Sequence, residues 1–131
     1  MKKAFPATLS NLKYIRAIIK DFLKIHKVDL NIIKNIQLAS DEAVTNIIKH
    51  SYQGENKNNI IEINLEFKEK RIIIHLYDNG SSVKKEQIKP RELTNIKPGG
   101  LGTHFINNIM DEVKWEKSKN WINHLKMIKK I

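Results

Sequence analysis

The spacing of hydrophobic residues divides the chain into helical and extended segments. Residues 12–23 carry apolar side chains at helical intervals, and Ser10 precedes them as a candidate N-cap. A second helical pattern begins near Asp29, runs through residues 33–47 and ends near Gly54. The sequence therefore predicts two amphipathic helices in its first half.

The period then changes to two, as on half-buried strands. Apolar and polar residues alternate over residues 60–67 and again over residues 72–76, with a short turn between them, which predicts an antiparallel hairpin. The second strand ends at a turn signal, Asp-Asn-Gly, at residues 78–80. A long polar segment follows, and because loops of such length are usually functional or disordered, we predict a lid at about residues 81–99.

The rest of the chain returns to a helix and then to strands. A third helical pattern includes residues 105–110, and two further strands are predicted at residues 113–115 and 121–128. A short extended segment at residues 2–6 opens the chain. This order of elements predicts an α+β fold, a two-layer α/β sandwich whose mostly antiparallel sheet is covered on one face by three helices.

Length and composition fit one domain over residues 1–131. The chain has 131 residues, of which 40% are hydrophobic, and domains typically contain about 100–150 residues around a single core. It has no apolar run of the roughly 18 residues that a membrane span needs, and its N-terminus lacks the continuous apolar stretch of a secretory signal. We therefore predict a cytoplasmic protein with no membrane partner.

The numbers of cysteine, histidine and lysine residues exclude some kinds of functional site and bear on the choice of binding partner. The absence of cysteine excludes disulfides, thiolate catalysis and Cys-based zinc sites, and the five histidines lie too far apart in sequence for a standard metal-binding spacing. No structural metal is predicted. The formal charge of +10 suits a polyanionic partner. The lysines are spread along the chain, however, and no aromatic stripe accompanies them, which argues against direct nucleic-acid binding.

Candidate chemistry lies on the second predicted helix. At about 100° per residue, Glu42, Asn46 and His50 fall in one narrow stripe beside the apolar arc that enters the core. A carboxylate and an amide at a buried edge need hydrogen-bond partners or a cation, and Mg²⁺ with its waters would serve both. Taken alone, the pair could equally bind each other or face solvent. His50 alone could be a surface histidine, and Lys49 a solvated charge.

Two glycine segments flank the predicted lid. Residues 99–102 precede the third helix, where free backbone N–H groups and the positive end of the helix dipole suit a phosphate. Alone this motif is weak, because a helix that starts after a flexible loop also favours glycine. Residues 78–80 alone are more simply a turn.

In this order and context, the segments resemble the Bergerat-type ATP-binding fold that histidine kinases share with type II topoisomerases, a class of heat-shock chaperones and a mismatch-repair protein. Within that superfamily they resemble the bacterial anti-sigma-factor serine kinases. Residues 42–50 (EAVTNIIKH) are similar to the N box, residues 78–80 to the first glycine box, and residues 100–102 before Phe105 and Ile106 to the second. The resemblance covers nearly the whole chain.

This resemblance implies a role for each candidate residue. Asn46 would coordinate Mg²⁺ at the phosphates of ATP, and Glu42 would be the catalytic base that orients or deprotonates a serine hydroxyl. Asp78, in the glycine box that includes Gly80, would accept a hydrogen bond from the adenine amino group. Further nucleotide contacts would come from Lys49 or His50 as a charge partner and from the backbone amides of Gly100, Leu101, Gly102, Thr103 and His104.

Two positions depart from the family's pattern. The first glycine box usually has a second glycine, where this chain has Ser81 and Ser82. The last strand commonly carries a hydroxyl residue near the adenine, and Lys126 is the nearest candidate position here. Both departures concern the adenine end of the predicted site.

The implied activity is that of a partner-switching regulator. Such a protein is an anti-sigma factor and a serine/threonine protein kinase: it binds a sigma factor or a similar regulator and phosphorylates a serine of an antagonist protein. The alternative is a non-catalytic ATP-binding module that sequesters a partner. Members of this family often form homodimers, and Ile18 and Phe22 could be dimer contacts or part of the core.

Overall fold

The computed structural model describes residues 1–82 and 106–131, which contain two long helices and five strands. Helix α1 spans Leu12–Ile25 and helix α2 spans Leu30–Asn46. The strands are β1 (Lys2–Ala7), β2 (Asn56–Lys68), β3 (Arg71–Asp78), β4 (Glu112–Glu116) and β5 (Asn123–Lys130). Residues 106–109 are also helical, at the position of the third predicted helix. Most of the predicted lid and the whole second glycine segment lie outside the described residues.

The five strands form one antiparallel sheet in the order β1-β2-β3-β5-β4. β2 and β3 make the predicted hairpin, and its turn residues Glu69 and Lys70 both have positive φ, as in a type I′ turn. β5 pairs with β3 on the other side, in a register that sets Asn123 opposite Asp78. Two residues 45 positions apart in the chain thus become neighbours.

The helices cover one face of this sheet. In β3 the alternate residues Ile72, Ile74 and Leu76 are fully buried, and Asp78, the next residue with the same orientation, is only 1% exposed. The helices add buried side chains to the same core, among them Ile15, Ile19, Leu23, Ile33, Ile36, Ile106 and Met110. The strand period therefore places a carboxylate at the edge of the core, and the predicted two-layer α+β sandwich is confirmed.

An ion pair joins the two long helices near the candidate site. Arg16 Nη1 lies 2.7 Å from Asp41 Oδ2, and Gln37 Nε2 donates to the backbone oxygen of Arg16 at 2.9 Å. Because Asp41 precedes Glu42, these contacts fix the part of α2 that carries the predicted catalytic residue. No helix within residues 1–82 and 106–131 is long and apolar enough to cross a membrane.

The burial of Ile18 and Phe22 decides between the two alternatives given for them, dimer contacts or core residues. Ile18 is buried, and Phe22 is partly buried against the core with its ring centroid 4.8 Å from that of His26. Both belong to the core.

The prediction that Ser10 caps α1 is wrong, because Ser10 lies in a short 3₁₀ turn and its hydroxyl contacts that of Thr8 at 3.0 Å.

Candidate functional site

A buried polar cluster surrounds Asp78 at the end of β3. Its Oδ1 accepts three hydrogen bonds, from the Ser51 hydroxyl at 2.5 Å, the Gly80 backbone N–H at 2.9 Å and the Asn123 side-chain amide at 2.9 Å. Ser51 is 8% exposed and Asn123 is 4% exposed, so water has little access to these contacts. A buried carboxylate without partners is costly, and here three donors offset that cost.

The cluster also fixes the chain that follows β3. Asn123 Nδ2 donates to the backbone oxygen of Ser81 at 2.8 Å and contacts Ser51 Oγ at 3.1 Å, while the Ser81 backbone N–H donates to the Ser51 oxygen at 2.8 Å. The end of β3, the start of β5 and the segment after α2 are thereby joined. Within the part of the chain that the structure describes, every hydrogen bond to the Asp78 carboxylate ends on Oδ1.

A π-helical turn brings Ser51 into this cluster. The α-helical geometry ends at Asn46, and Ile47–Ser51 continue it as a π turn, so the helical segment ends near Gly54 as predicted, but its last turn is not α-helical. Such turns are rare and often mark functional sites. The wider turn changes the direction in which the following side chains point, and Ser51 is therefore buried beside Asp78.

The predicted residues of the second helix differ in exposure. Glu42 and Asn46 lie one helical turn apart on α2 and are both half-buried. Lys49 and His50 lie in the π turn and are exposed, because that turn moves His50 out of the stripe that an unbroken α-helix would give. The structure thus keeps Glu42 and Asn46 together at the margin of the core and leaves the two basic residues at the surface.

The prediction that Lys126 lies near the adenine end of the site is wrong. Lys126 is paired with His75 of β3, and its side chain points to the sheet face away from the helices. Asn123 is the β5 residue beside Asp78, since it shares the inward face with Leu125 and other buried residues. The sequence signal that identifies Asn123 is a polar residue at an inward position of an otherwise apolar stripe.

The predicted phosphate contacts are not among the described residues. Gly100, Leu101, Gly102, Thr103 and His104 all fall within residues 83–105. The structure therefore describes one wall of the predicted site, formed by α2, the π turn and the Asp78 cluster.

A separate cleft of about 420 Å³ adjoins the loop after β3. It is lined by Tyr52, Asn58, Asn59, Ile60, Asn79 and Trp121, and it includes none of the predicted site residues. The Tyr52 hydroxyl donates to the Ile60 oxygen at 2.6 Å and accepts the Asn79 N–H at 2.8 Å. Burial raises the pKa of Tyr52, and the negative charge of Asp78 acts in the same direction, so the hydroxyl stays protonated and able to donate.

Comparison with known proteins identifies the family of this chain. Residues 5–129 match the model of the histidine kinase-like ATPase domain. The chain belongs to this family. Its relatives include the serine-protein kinase RsbW of Staphylococcus aureus (strain MRSA252), which is 31% identical over 95% of this chain and 84% of that protein. The predicted resemblance, to serine kinases within the histidine kinase-like ATPases, is confirmed.

Solved structures share the fold of this histidine kinase-like domain. The RsbU and RsbW domains of Rv1364c from Mycobacterium tuberculosis match with a TM-score of 0.66 at 15% identity, over 99% of this chain and 31% of that chain. The SiaB-SiaC complex from Pseudomonas aeruginosa matches with a TM-score of 0.65 at 13% identity, over 100% of this chain and 89% of that chain. The catalytic domain of histidine kinase ThkA matches with a TM-score of 0.61 at 15% identity, over 99% of this chain and 97% of that chain. The predicted Bergerat-type architecture is confirmed.

Gly80 of this histidine kinase-like domain lies where no side chain fits. A Cβ atom there would overlap the hydroxyl and the backbone carbonyl of Ser51. We expect Gly80→Ala to lower the free energy of unfolding by about 1–3 kcal/mol, as overpacked positions do, measured by urea denaturation. Ser82→Ala, at an exposed position nearby, is the control and should be neutral. Equal stability of both variants would contradict the described packing of this loop.

Proposed function

We propose that this histidine kinase-like domain binds ATP with Mg²⁺ beside α2 and transfers the γ-phosphoryl group to a serine of a partner protein. The observation that carries the proposal is the Asp78 cluster, which attaches a fixed, buried carboxylate to the helical segment that bears Glu42 and Asn46. Adenine recognition and phosphate chemistry would thus be held on one rigid unit.

Asp78 would recognise the adenine. Its Oδ1 is occupied by three donors, and no described donor reaches Oδ2, which leaves that oxygen to accept the adenine amino N–H. Guanine has a carbonyl oxygen at the corresponding position, which would face the carboxylate as a second acceptor. The site should therefore prefer ATP to GTP, because an unpaired buried acceptor costs free energy.

Asn46 would hold Mg²⁺ at the phosphates. Carbonyl and carboxylate oxygens suit Mg²⁺, which usually keeps several waters and binds substrate phosphates through only one or two protein side chains. Within residues 1–82 and 106–131 no group of three or more His, Asp or Glu side chains is arranged to hold a metal ion. When bound, Mg²⁺ neutralises phosphate charge. Lys49 or His50 and the amides of residues 100–104 would complete the phosphate contacts.

Glu42 would be the catalytic base. Its half-buried carboxylate would accept the proton of the serine hydroxyl as the serine oxygen forms a bond to the γ-phosphorus and ADP leaves. Phosphoryl transfer depends mainly on positioning and charge stabilisation. The Arg16–Asp41 ion pair beside Glu42 would support that positioning by fixing α2.

The proposed partners are a sigma factor or a similar regulator, and an antagonist protein that carries the phosphorylated serine. The relationship to the serine-protein kinase RsbW supports this scheme. In this scheme, the unmodified antagonist binds the kinase and displaces the regulator from it. Phosphorylation of the antagonist serine ends that displacement, so the kinase binds the regulator again. We place the switch in the cytoplasm, where ATP is available, and a homodimer is part of the proposal.

Transfer of labelled γ-phosphate to a co-encoded antagonist protein tests the activity. We expect label on one serine of the antagonist, lost when that serine is replaced by alanine. ATP binding without any transfer would instead support the alternative, a non-catalytic module that sequesters a partner.

Asn46→Ala is expected to abolish the dependence of ATP affinity on Mg²⁺. Removal of the amide oxygen should raise the Kd for ATP about tenfold or more when Mg²⁺ is present, a loss of roughly 1.4 kcal/mol or more, and should change it little in EDTA. Isothermal titration calorimetry measures both values. Asn35→Ala, at an exposed position of the same helix, is the matched control. Equal Mg²⁺ dependence in the two variants would remove Asn46 from the site.

A further inference from the structure

The sheet face opposite the helices carries three titratable side chains that the proposed function does not use. Glu66 of β2, His75 of β3 and His124 of β5 lie in a line across this face. Glu66 Oε2 is 3.1 Å from His75 Nε2, and His75 Nδ1 is 2.8 Å from His124 Nε2. The His75 side chain is only 12% exposed, so the arrangement is not a chance contact of mobile surface groups.

The contact of His75 with Glu66 favours one tautomer of the neutral His75 ring. Glu66 accepts a hydrogen bond from His75 Nε2–H, so in neutral His75 the lone pair lies on Nδ1. That lone pair points at His124 Nε2. The two ring nitrogens therefore face each other with a single proton between them.

Packing holds both imidazole rings in place. Tyr77 stacks on His124 with ring centroids 4.3 Å apart, and Trp121 lies 6.0 Å from Tyr77. This row of rings, which the sequence did not suggest, restricts the rotation of His124. A preorganised pair of nitrogens has less conformational entropy to lose when it binds a ligand.

We propose that His75 Nδ1 and His124 Nε2 form a binding site for Zn²⁺ or a similar transition-metal ion. Zn–N bonds of about 2.0–2.1 Å in tetrahedral geometry place two ligand nitrogens roughly 3.3 Å apart. The nitrogens are 2.8 Å apart, so the ion would replace the proton between them, the nitrogens would separate by about 0.5 Å, and both rings would turn until their lone pairs meet at the ion. Histidine ligands usually donate their other ring N–H to a carboxylate, and the Glu66–His75 contact already has this form.

Charged side chains near the two histidines affect how well the site would bind a cation. Glu116 of β4 is the cross-strand neighbour of His124, but no third His, Asp or Glu side chain among the described residues completes a set of ligands with the pair, so water would supply the remaining ligands. Lys126, on the same face, opposes a cation, while Glu66 and Glu116 favour it. Burial lowers the pKa of His124, and the charges of His75 and Lys126 lower it further against the effect of Glu116.

An ion at this site would join the two strands that also form the nucleotide-facing cluster. β3 and β5 carry Asp78 and Asn123 on their inward face and the histidine pair on their outer face. The inference goes beyond the proposed kinase function and does not depend on it. Its test therefore uses the full chain without nucleotide.

Titration of the purified protein with ZnCl₂ tests the proposal. We expect one Zn²⁺ to bind with a Kd below about 100 μM, together with shifts of the side-chain ¹⁵N signals of His75 and His124. His75→Gln and His124→Gln should each weaken binding tenfold or more, and Glu66→Gln should weaken it about 10–100-fold. MgCl₂ should not shift these signals, because Mg²⁺ prefers oxygen ligands.

His26→Gln is the matched control. This exposed histidine stacks on Phe67, outside the pair, and its replacement should leave the Kd for Zn²⁺ unchanged. Circular dichroism of each variant checks that it is folded, and the imidazole signals of the unaltered protein provide a readout that needs no variant. Absence of saturable binding up to about 1 mM, or a Kd in His75→Gln and His124→Gln equal to that of the unaltered protein, would overturn the proposal.

Discussion

Replacing Glu42 with glutamine is expected to slow phosphoryl transfer to the antagonist serine by about 10²–10⁴-fold, the usual contribution of a general base. Glutamine keeps the length of the side chain and its place on α2, but it cannot take the proton of the serine hydroxyl. ATP affinity should change little, because the adenine and Mg²⁺ contacts are assigned to other residues. Single-turnover transfer of labelled phosphate measures the rate, and calorimetry measures the affinity.

Glu62→Gln is the matched control for this prediction. Glu62 is also half-buried, but it lies on β2 with its side chain on the outer face of the sheet. The same chemical change there should leave the transfer rate within about twofold, since surface substitutions away from special features have small effects. If Glu42→Gln retained the wild-type rate, Glu42 would not be the catalytic base, even if ATP binding were intact.

Asp78→Asn is expected to weaken ATP binding by roughly tenfold to a hundredfold, because a hydrogen bond to a charged group contributes about 1.5–3 kcal/mol. The asparagine oxygen can still accept the hydrogen bonds from Ser51, Gly80 and Asn123, so the cluster should remain folded. Its amide nitrogen would then replace Oδ2, the oxygen assigned to the adenine amino group. A donor would face a donor.

The preference between ATP and GTP separates this effect from general damage. In Asp78→Asn, the new amide donor suits the guanine oxygen, so the ratio of GTP affinity to ATP affinity should rise. Ser51→Ala removes one donor to Oδ1 and keeps Asp78, so it should lower the free energy of unfolding by about 1.5–3 kcal/mol, as the loss of a hydrogen bond to a charged group does, and preserve the preference for ATP. Equal losses of ATP and GTP affinity in Asp78→Asn would argue against a direct contact with the base.

Local periodicity was sufficient to predict the layers of this fold. The period of two in β2 and β3 and the helical period of α1 and α2 lie within single segments, and each identifies the face that enters the core. The same alternation explains the place of Asp78, which continues the inward series of Ile72, Ile74 and Leu76. The likeness of residues 42–50 to the N box then indicated which helix carries Glu42 and Asn46.

Contacts that depend on tertiary structure were missed. Ser51 meets Asp78 only because the helix changes to a π turn after Asn46, and neither propensity nor period distinguishes a π turn from an α-helical one. Asn123 was overlooked in favour of Lys126, although the inward positions of β5 could have identified it. One step along a strand moves a side chain to the opposite face, so a small error in position gave the wrong face.

The histidine pair shows the same limit. His75 and His124 are 49 residues apart and meet through the register of β3 with β5. Sequence spacing identifies metal ligands on one helix or one turn, but ligands on neighbouring strands leave no fixed spacing. The prediction of no structural metal rested on the absence of cysteine and on the spacing of the histidines, and the geometry of the outer face is what suggests a site.

The position of the nucleotide on the domain tests the central claim most directly. Backbone amide signals of the ¹⁵N-labelled protein should be recorded during titration with ATP and Mg²⁺. We expect the largest shifts among the described residues at Ser51, Gly80 and Asn123 and along the end of α2, with little change at His75 or Lys126 on the outer face. Shifts confined to the cleft of Tyr52 and Trp121 or to the outer face, or no shifts at millimolar ATP, would contradict the assignment of the site.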